Sequence, residues 1–312
     1  MSNATESAGP TDITARTLRD WPLPQPSFDG DKEVRGHVLI VGGAREMPGA
    51  VMLAATAALR AGAGKLTIAT AASVAPLVAM AIPEARVIGL AETANGGFTI
   101  EAARKLGELA GKVGAMLVGP GMQDEGATAE LVHALLPRFV GTALVLDAAA
   151  MSAVRMAGEP HLLDEAKDMA HFRFAEPVLL TPHAGELSHL TGEDKDALAA
   201  DPVASATHAA KRWNAVVALK GATTVIAAPD GQRWQHEGGN IGLAISGSGD
   251  ALAGIIAGLA ARGATLPQAA AWGVALHASA GEQLSIKYGV LGYLAREISA
   301  EVPGLLRTLA PS

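Results

Sequence analysis

The segment Ser246-Gly247-Ser248-Gly249-Asp250 carries the strongest chemical signal in the sequence. It opens an alanine-rich stretch with helical spacing, Ala251 to Arg262. Glycines let main-chain N–H groups approach a phosphate closely, and the first turn of a helix adds unpaired donors and a partial positive charge. Asp250 would lie in that turn, where it could accept the proton of an attacking hydroxyl or simply stabilise the helix. The motif indicates an anion site and leaves the role of the carboxylate open.

Three further polar side chains each follow a predicted strand: Asp147, His183 and Lys220. Lys220 could bind a nucleotide phosphate or be a solvated lysine at a turn. His183 could hydrogen-bond a substrate or be structural, and Asp147 could contact substrate or cap the segment that follows it. Ligands of open parallel sheets bind outside the carboxyl ends of the strands. The convergence of these residues on one such edge therefore favours a ligand crevice.

The elements that must position these residues are short apolar runs that alternate with alanine-rich segments at helical spacing. This pattern is typical of crossover helices packed on a buried parallel sheet. The predicted strands are His37 to Val41, Lys65 to Thr70, Ala115 to Val118, Ala143 to Leu146, Val178 to Leu180, Val216 to Leu219 and Thr224 to Ala227. The predicted helices are Gly49 to Ala61, Thr128 to Leu136, Gly185 to Thr191, Ser205 to Trp213, Ala251 to Arg262, Pro267 to Leu284 and Leu291 to Leu306, with a short one near Ile13 to Asp20.

The composition excludes several classes of protein. The 312 residues include 24 basic and 31 acidic side chains, for a net charge of −7, and no basic run that could bind nucleic acid. The absence of cysteine excludes disulfides, thiolate zinc sites and a cysteine nucleophile. The longest uncharged apolar stretch, Leu66 to Pro83, contains two prolines, which disfavours a membrane span. The polar N-terminus lacks the features of a secretory signal, so we expect a cytoplasmic protein.

Two common nucleotide-binding motifs are missing. Residues 42–49 do not form GxGxxG, and the predicted strand that ends at Thr70 carries no acidic residue to hold a ribose. No GxxxxGK[ST] sequence occurs, which excludes a P-loop enzyme. Gly254 and Gly258 form a pair of small residues four apart, which we interpret as a site of tight helix packing.

Six motifs, in this order, resemble the NAD(P)H-hydrate dehydratase family. They are Gly-Gly-Ala-Arg-Glu-Met-Pro-Gly-Ala from 42, Leu-Arg-Ala-Gly-Ala-Gly-Lys-Leu-Thr from 59, Gly-Pro-Gly from 119, Leu-Thr-Pro-His-Ala-Gly-Glu from 180, Leu-Lys-Gly-Ala-Thr-Thr-Val-Ile from 219 and Gly-Ser-Gly-Asp-Ala-Leu-Ala-Gly from 247. The match runs from about Arg35 to the C-terminal helices. It departs from the family pattern at Ile245-Ser246 and after Asp147, where Ala-Ala-Ala-Met follows.

The resemblance implies a ribokinase-like α/β fold, a three-layer sandwich with a large, mostly parallel sheet and helices on both faces. Residues 31–312 would form a single catalytic domain behind an N-terminal arm, residues 1–30, that we expect to be partly disordered. No epimerase domain precedes the match, so the resemblance implies a stand-alone dehydratase. The family converts the S form of hydrated NADH or NADPH back to the dinucleotide, using ADP in most bacteria and ATP in eukaryotes. The implied route phosphorylates the ring hydroxyl and then eliminates phosphate.

Carried onto this chain, the resemblance implies three groups of site residues. Asp250 would be the base, beside an anion hole formed by Gly247, Ser248 and Gly249. The adenine nucleotide would contact Lys220, Gly221, Ala222, Thr223, Thr224 and Gly249. The hydrated dinucleotide would contact Ala50, Gly121, His183 and Asp250. We expect Mg²⁺ to accompany the nucleotide, with phosphate and water as most of its ligands and no protein ligand assigned.

Two other functions fit the same residues. A ribokinase-like kinase of a small alcohol, such as a vitamin precursor, would share the anion hole and the base. A nucleotide-binding regulator without turnover would need only the nucleotide contacts. The alanine-rich helices also permit a homo-oligomer without requiring one.

Overall fold

The protein is built around one large sheet. A computed structural model describes residues 9–25, 35–155 and 172–309. In these residues ten strands run in the order β1-β10-β9-β8-β7-β6-β5-β2-β3-β4. The strands are β1 (Thr11–Asp12), β2 (His37–Val41), β3 (Lys65–Ala71), β4 (Ala85–Leu90), β5 (Ala115–Val118), β6 (Ala143–Leu146), β7 (Val178–Leu180), β8 (Ala215–Leu219), β9 (Thr223–Ala227) and β10 (Arg233–Glu237).

In the sheet, seven neighbouring strands are mutually parallel: β8, β7, β6, β5, β2, β3 and β4. Strand β9 is antiparallel to both β8 and β10. Parallel strands need crossover connections, which explains why helices separate most of them. The central strands β2, β5, β7 and β8 are buried at every residue, as their continuous apolar runs predict. This is the mostly parallel sheet that the sequence predicts.

Helices cover both faces of the sheet. They are α1 (Ala15–Asp20), α2 (Pro48–Arg60), α3 (Ala75–Ala81), α4 (Glu101–Gly107), α5 (Glu125–Leu135), α6 (Ala184–Thr191), α7 (Lys195–Ala200), α8 (Pro202–Trp213), α9 (Ser248–Ala261), α10 (Leu266–Tyr288) and α11 (Ala295–Leu309). Helices α2, α9, α10 and α11 pack on one another as one layer, and α8 packs on β8 and β9 in the other. Within the described ranges, no helix is both long and apolar enough to cross a membrane.

Helix α9 lies against α2 through its glycines. A Cβ built at Gly258 would lie 2.5 Å from the carbonyl oxygen of Ala58, and one at Gly254 would collide with the carbonyl oxygen of Ala54. Both helices are lined with alanine along this contact, so their backbones touch. The interpretation of Gly254 and Gly258 as a helix-packing site is confirmed, and this contact fixes the start of α9 relative to the sheet.

The described part of the N-terminal arm is attached to the C-terminal half of the chain. Strand β1 pairs in parallel with β10. Trp21 stacks on Trp234 with ring centroids 5.4 Å apart, and the indole N–H of Trp272 donates to the Trp21 carbonyl at 2.9 Å. The remainder of the predicted arm, residues 1–8 and 26–30, lies outside the described residues.

Candidate active site

The carboxyl ends of the parallel strands open onto two cavities that share His183. The larger, of about 680 Å³, lies between the β8–β9 turn, the segment 238–245 and the start of α9. The smaller, of about 410 Å³, lies between the 3-10 helix Ala148–Val154, the start of α6 and Met122. Both cavities therefore lie at the edge of the sheet where the sequence predicts a ligand crevice.

The glycine-rich loop enters α9 at the wall of the larger cavity. Gly247 is the N-cap, with a φ of 89° that favours glycine, and Ser248 and Gly249 line the cavity. The Ser248 amide donates to the carbonyl of Ile245 at 3.2 Å, so it is already occupied. The main-chain donors that the first helical turn can offer an anion are therefore those that follow Ser248. Gly247 and Asp250 do not line this cavity, and the anion site stays a prediction.

Asp250 lies in the first turn of α9 and is partly buried. Its pKa is raised to about 7: burial is the largest cause, the charge of Asp147 adds to the rise, and the charge of Lys220 opposes both. A carboxylate with a pKa near neutrality can both accept and release a proton at physiological pH, which suits a general base. The predicted base therefore has the electrostatic environment that its role needs.

Lys220 lines the larger cavity and contacts Glu186, which lines the smaller one. Its main-chain amide donates to Pro182 at 2.8 Å, which fixes the end of β8 against the end of β7. Its ammonium lies 3.5 Å from Glu186 and 3.8 Å from Asp147, and a Cβ built at Gly249 would be 3.6 Å from it. The side chain is only 22% exposed. The alternative of a solvated lysine at a turn is therefore wrong.

Asp147 is a buried carboxylate at the N-cap position of the 3-10 helix Ala148–Val154. Only 4% of the residue is exposed, and its Oδ1 accepts from the Thr181 hydroxyl at 2.6 Å. Burial raises its pKa, although Lys220 and Thr181 act in the other direction. Its side chain makes no cap hydrogen bond to the 3-10 helix that follows. The side chain of Asp147 therefore does not stabilise that helix by a cap hydrogen bond, and its contact with substrate stays a prediction.

His183 has a structural role in addition to its place in both cavity walls. Its Nδ1 accepts from the Glu186 amide at 3.1 Å, while its own amide donates to Glu186 Oε2 at 2.8 Å. This reciprocal pair is a capping box at the start of α6. The histidine remains more than half exposed, so its Nε2 edge can still meet a ligand.

The other predicted contacts fall into two sets. Of the nucleotide-binding residues, Lys220, Gly221, Ala222, Thr224 and Gly249 line the larger cavity, and Thr223 lies beside it without lining it. Ala50 and Gly121 touch each other, since a Cβ built at Gly121 would lie 2.9 Å from that of Ala50. Neither lines the smaller cavity, which begins at the next residue, Met122.

Two site residues were not predicted from the sequence, Glu186 and His277. Glu186 could have been found, because a glutamate three residues after an N-cap marks a capping box. His277 lies on α10 and lines the larger cavity, where its Nε2 is 2.9 Å from Ser248 Oγ. Its pKa is lowered to about 4: burial is the largest cause, the hydrogen bond to the Ser248 carbonyl acts in the other direction, and the charge of Lys220 adds to the lowering. No motif near position 277 in the sequence predicts this contact.

The described parts of the chain contain no group of three or more His, Cys, Asp or Glu side chains placed to hold a metal ion. The carboxylates of Asp147 and Glu186 lie 3.8 Å and 3.5 Å from the ammonium of Lys220, and neither lines the larger cavity. Such a donor set fits a magnesium ion carried by nucleotide phosphates better than a metal held by protein alone.

Comparison with known proteins identifies relatives along nearly the whole chain. A profile of the family described as NAD(P)H-hydrate dehydratase matches residues 38–304. The ADP-dependent (S)-NAD(P)H-hydrate dehydratase of Xanthomonas campestris is 50% identical over 297 residues, which cover 95% of this chain and 96% of that protein.

Solved structures agree with this result. The ADP/ATP-dependent NAD(P)H-hydrate dehydratase of Bacillus subtilis, co-crystallised with ATP and Mg²⁺, is 29% identical, has a TM-score of 0.80 and covers 98% of this chain and 100% of its own. A ribokinase-like superfamily protein of Enterococcus faecalis is 25% identical, has a TM-score of 0.79 and covers 96% of each chain. The predicted ribokinase-like fold is confirmed.

Proposed function

The chain belongs to the NAD(P)H-hydrate dehydratase family, and from that premise we propose that it catalyses the ADP-dependent dehydration of (S)-NADHX or (S)-NADPHX to NADH or NADPH. ADP is favoured over ATP because the Xanthomonas relative, at 50% identity, is named as ADP-dependent. The observation that carries the proposal is the approach of Lys220 to Gly249 at the start of α9, in the wall of the larger cavity and beside a second cavity that shares His183. One cavity would hold the nucleotide and the other the hydrated dinucleotide.

The larger cavity suits the nucleotide. Lys220 and the start of α9 supply positive charge and main-chain donors for its phosphates. Gly221, Ala222 and Thr224 would contact the remainder of the nucleotide from the β8–β9 turn. Magnesium that enters with the nucleotide would neutralise phosphate charge and take most of its ligands from phosphate and water.

The reaction requires a proton acceptor at the ring hydroxyl of the substrate. Asp250 would take the hydroxyl proton as the oxygen attacks the terminal phosphorus of ADP, with AMP as the leaving group. The bond between the ring carbon and that oxygen would then break, releasing inorganic phosphate, and loss of a ring proton would restore the double bond. In this scheme Gly247, Ser248 and Gly249 surround the transferred group, and His183, Ala50 and Gly121 orient the dinucleotide.

The assay that tests this function follows the absorbance of the reduced nicotinamide ring. Incubation with ADP and hydrated NADH should restore the absorbance, and AMP and phosphate should appear in equal amounts. Formation of a stable phosphorylated small alcohol instead would identify a kinase. Nucleotide binding with no product from any of these substrates would identify a regulator.

Two variants test the assigned roles. Asp250→Asn should lower turnover by a factor on the order of 10² to 10⁴ while leaving nucleotide affinity nearly unchanged, because a base acts on the transition state. Lys220→Ala should instead weaken nucleotide affinity. Equal loss of affinity and turnover in Asp250→Asn would show that Asp250 is structural, and an unchanged nucleotide affinity in Lys220→Ala would remove that residue from the nucleotide site.

A further inference from the structure

Ser248, which is buried, and His277, which is partly buried, form a polar pair in the wall of the larger cavity. Ser248 is the first residue of α9 and is 4% exposed, and His277 projects from α10. The Nε2 atom of His277 lies 2.9 Å from Ser248 Oγ and 3.1 Å from the Ser248 carbonyl oxygen. Both contacts are made by one ring nitrogen to one residue, so the imidazole is aimed at Ser248 alone on that side.

These two distances determine which nitrogen carries the proton. A carbonyl oxygen can only accept, so the 3.1 Å contact is a hydrogen bond only if Nε2 carries hydrogen. With the proton on Nδ1, two lone pairs would face each other across that distance. Because the pKa of His277 is lowered to about 4, the ring is neutral at physiological pH and has a single N–H. The network therefore favours the Nε2–H tautomer.

The tautomer of His277 determines which hydrogen bonds the Ser248 hydroxyl can make. When Nε2–H donates, Ser248 Oγ acts as an acceptor towards His277 and keeps its own hydrogen for another partner. The main-chain amide of Ser248 is already bonded to Ile245. The hydroxyl is consequently the donor that Ser248 has for an anion in the cavity, and the Lys220 ammonium approaches the neighbouring Gly249.

We propose that His277 is a positioning residue, whose Nε2–H holds Ser248 so that the Ser248 hydroxyl donates to the terminal phosphate of the bound nucleotide. The inference rests on the proposed function for the identity of the ligand, and it deepens the anion hole by adding a side-chain donor. A hydrogen bond to a charged oxygen is strong enough for its loss to weaken ADP binding by about tenfold or more.

The test is calorimetric titration with ADP and with adenosine of the wild type, Ser248→Ala, His277→Leu, His277→Gln and the double variant Ser248→Ala/His277→Leu. Ser248→Ala and His277→Leu should each weaken ADP binding by about tenfold or more and leave adenosine binding within about twofold. Glutamine can place an amide N–H where the Nε2–H of histidine lies, so His277→Gln should retain most of the affinity. The double variant should resemble Ser248→Ala, because His277 acts through that hydroxyl.

Three calorimetric results would overturn the proposal: an unchanged ADP affinity in His277→Leu, an equal loss for adenosine, or additive losses in the double variant. A measurement on the wild type keeps the proposal falsifiable if His277→Leu does not fold. Long-range ¹H–¹⁵N NMR of the imidazole should report the Nε2–H tautomer, and the Nδ1–H tautomer would contradict the proposal. A wild type that binds ADP but restores no reduced nicotinamide would refute the proposed function and leave this inference standing.

Discussion

Asp147 and Asp250 are a pair of carboxylates whose environments differ, and this difference is the most informative feature at the scale of single residues. Both pKa values are raised mainly by burial, and the charge of Asp147 raises that of Asp250 further. Asp147 has a hydroxyl partner in Thr181, and it is the more deeply buried of the two. Asp147 thereby tunes the residue assigned as the base.

The pH dependence of the reaction should report this tuning. A base must be ionised, so kcat/KM should fall as the pH drops below about 7, the pKa of Asp250. Asp147→Asn removes a negative charge but keeps an oxygen for Thr181, so it should move the acid limb to lower pH, on the order of one unit. The measurement is the pH profile of kcat/KM for the wild type, Asp147→Asn and Glu130→Gln, an exposed control on α5. An acid limb that stays in place in Asp147→Asn would contradict the electrostatic coupling.

The raised pKa of Asp250 also means that ionisation of this residue destabilises the folded protein. The folded state holds the proton more tightly than the unfolded chain, so the contribution of this group to stability falls as pH rises from about 4 to about 7. Asp250→Asn carries no charge and escapes this loss. Its melting temperature should exceed that of the wild type by a few degrees at pH 8, and the difference should shrink towards pH 4. Thermal unfolding from pH 4 to pH 8 measures the sign of this difference in melting temperature, with Glu130→Gln as the control. A wild type that is more stable than Asp250→Asn at pH 8 would show that the ionised carboxylate does not destabilise the folded state.

At the scale of elements, the contact between α2 and α9 positions the anion loop. Gly258→Ala improves helix propensity but places a methyl group against the backbone of Ala58. We expect it to lower the free energy of unfolding by roughly 1–3 kcal/mol, the usual range for overpacking. Gly304→Ala in α11 is the matched control, because a Cβ there meets nothing within 4 Å. That variant should be neutral or stabilised by up to about 1 kcal/mol. Denaturant unfolding of both variants measures the change in their free energy of unfolding. Equal changes would show that the contact between α2 and α9 has room for a methyl group.

The elements also show which parts of the fold can be predicted from sequence. Central strands such as β2 and β5 were found at their exact bounds, because burial on both faces demands continuous apolar runs. Strands β1, β4 and β10 were missed. In β4, Arg86 and Gly89 interrupt the apolar run, and β10 reads Arg-Trp-Gln-His-Glu. Both lie at or near an edge of the sheet, where a strand need not be apolar.

The candidate site could be predicted only in part, for a related reason. Lys220, His183 and the loop 247–250 directly follow strands or open a helix, so their convergence follows from the topology. His277 meets Ser248 from the middle of a long helix, 29 residues away in sequence. Such a contact depends on how two helices pack, which local spacing does not specify.

At the scale of the whole molecule, the two cavities share His183 but are otherwise lined by different residues. Each ligand would therefore enter without passing through the space of the other, and we expect them to bind in random order. A non-reacting analogue of either ligand should compete with its own counterpart and be noncompetitive towards the other. Initial-rate kinetics with AMP and with the oxidised dinucleotide tests this, and an uncompetitive pattern would indicate compulsory order.

The pairing of β1 with β10 also has a consequence for biosynthesis. Asp12 receives a hydrogen bond from Gln235, which lies 223 residues later in the chain. During translation the early strand emerges long before its partner exists, so it must wait while the intervening residues are made and begin to fold. Closure of this edge of the sheet therefore belongs to the final stage of folding, when most of the polypeptide has left the ribosome.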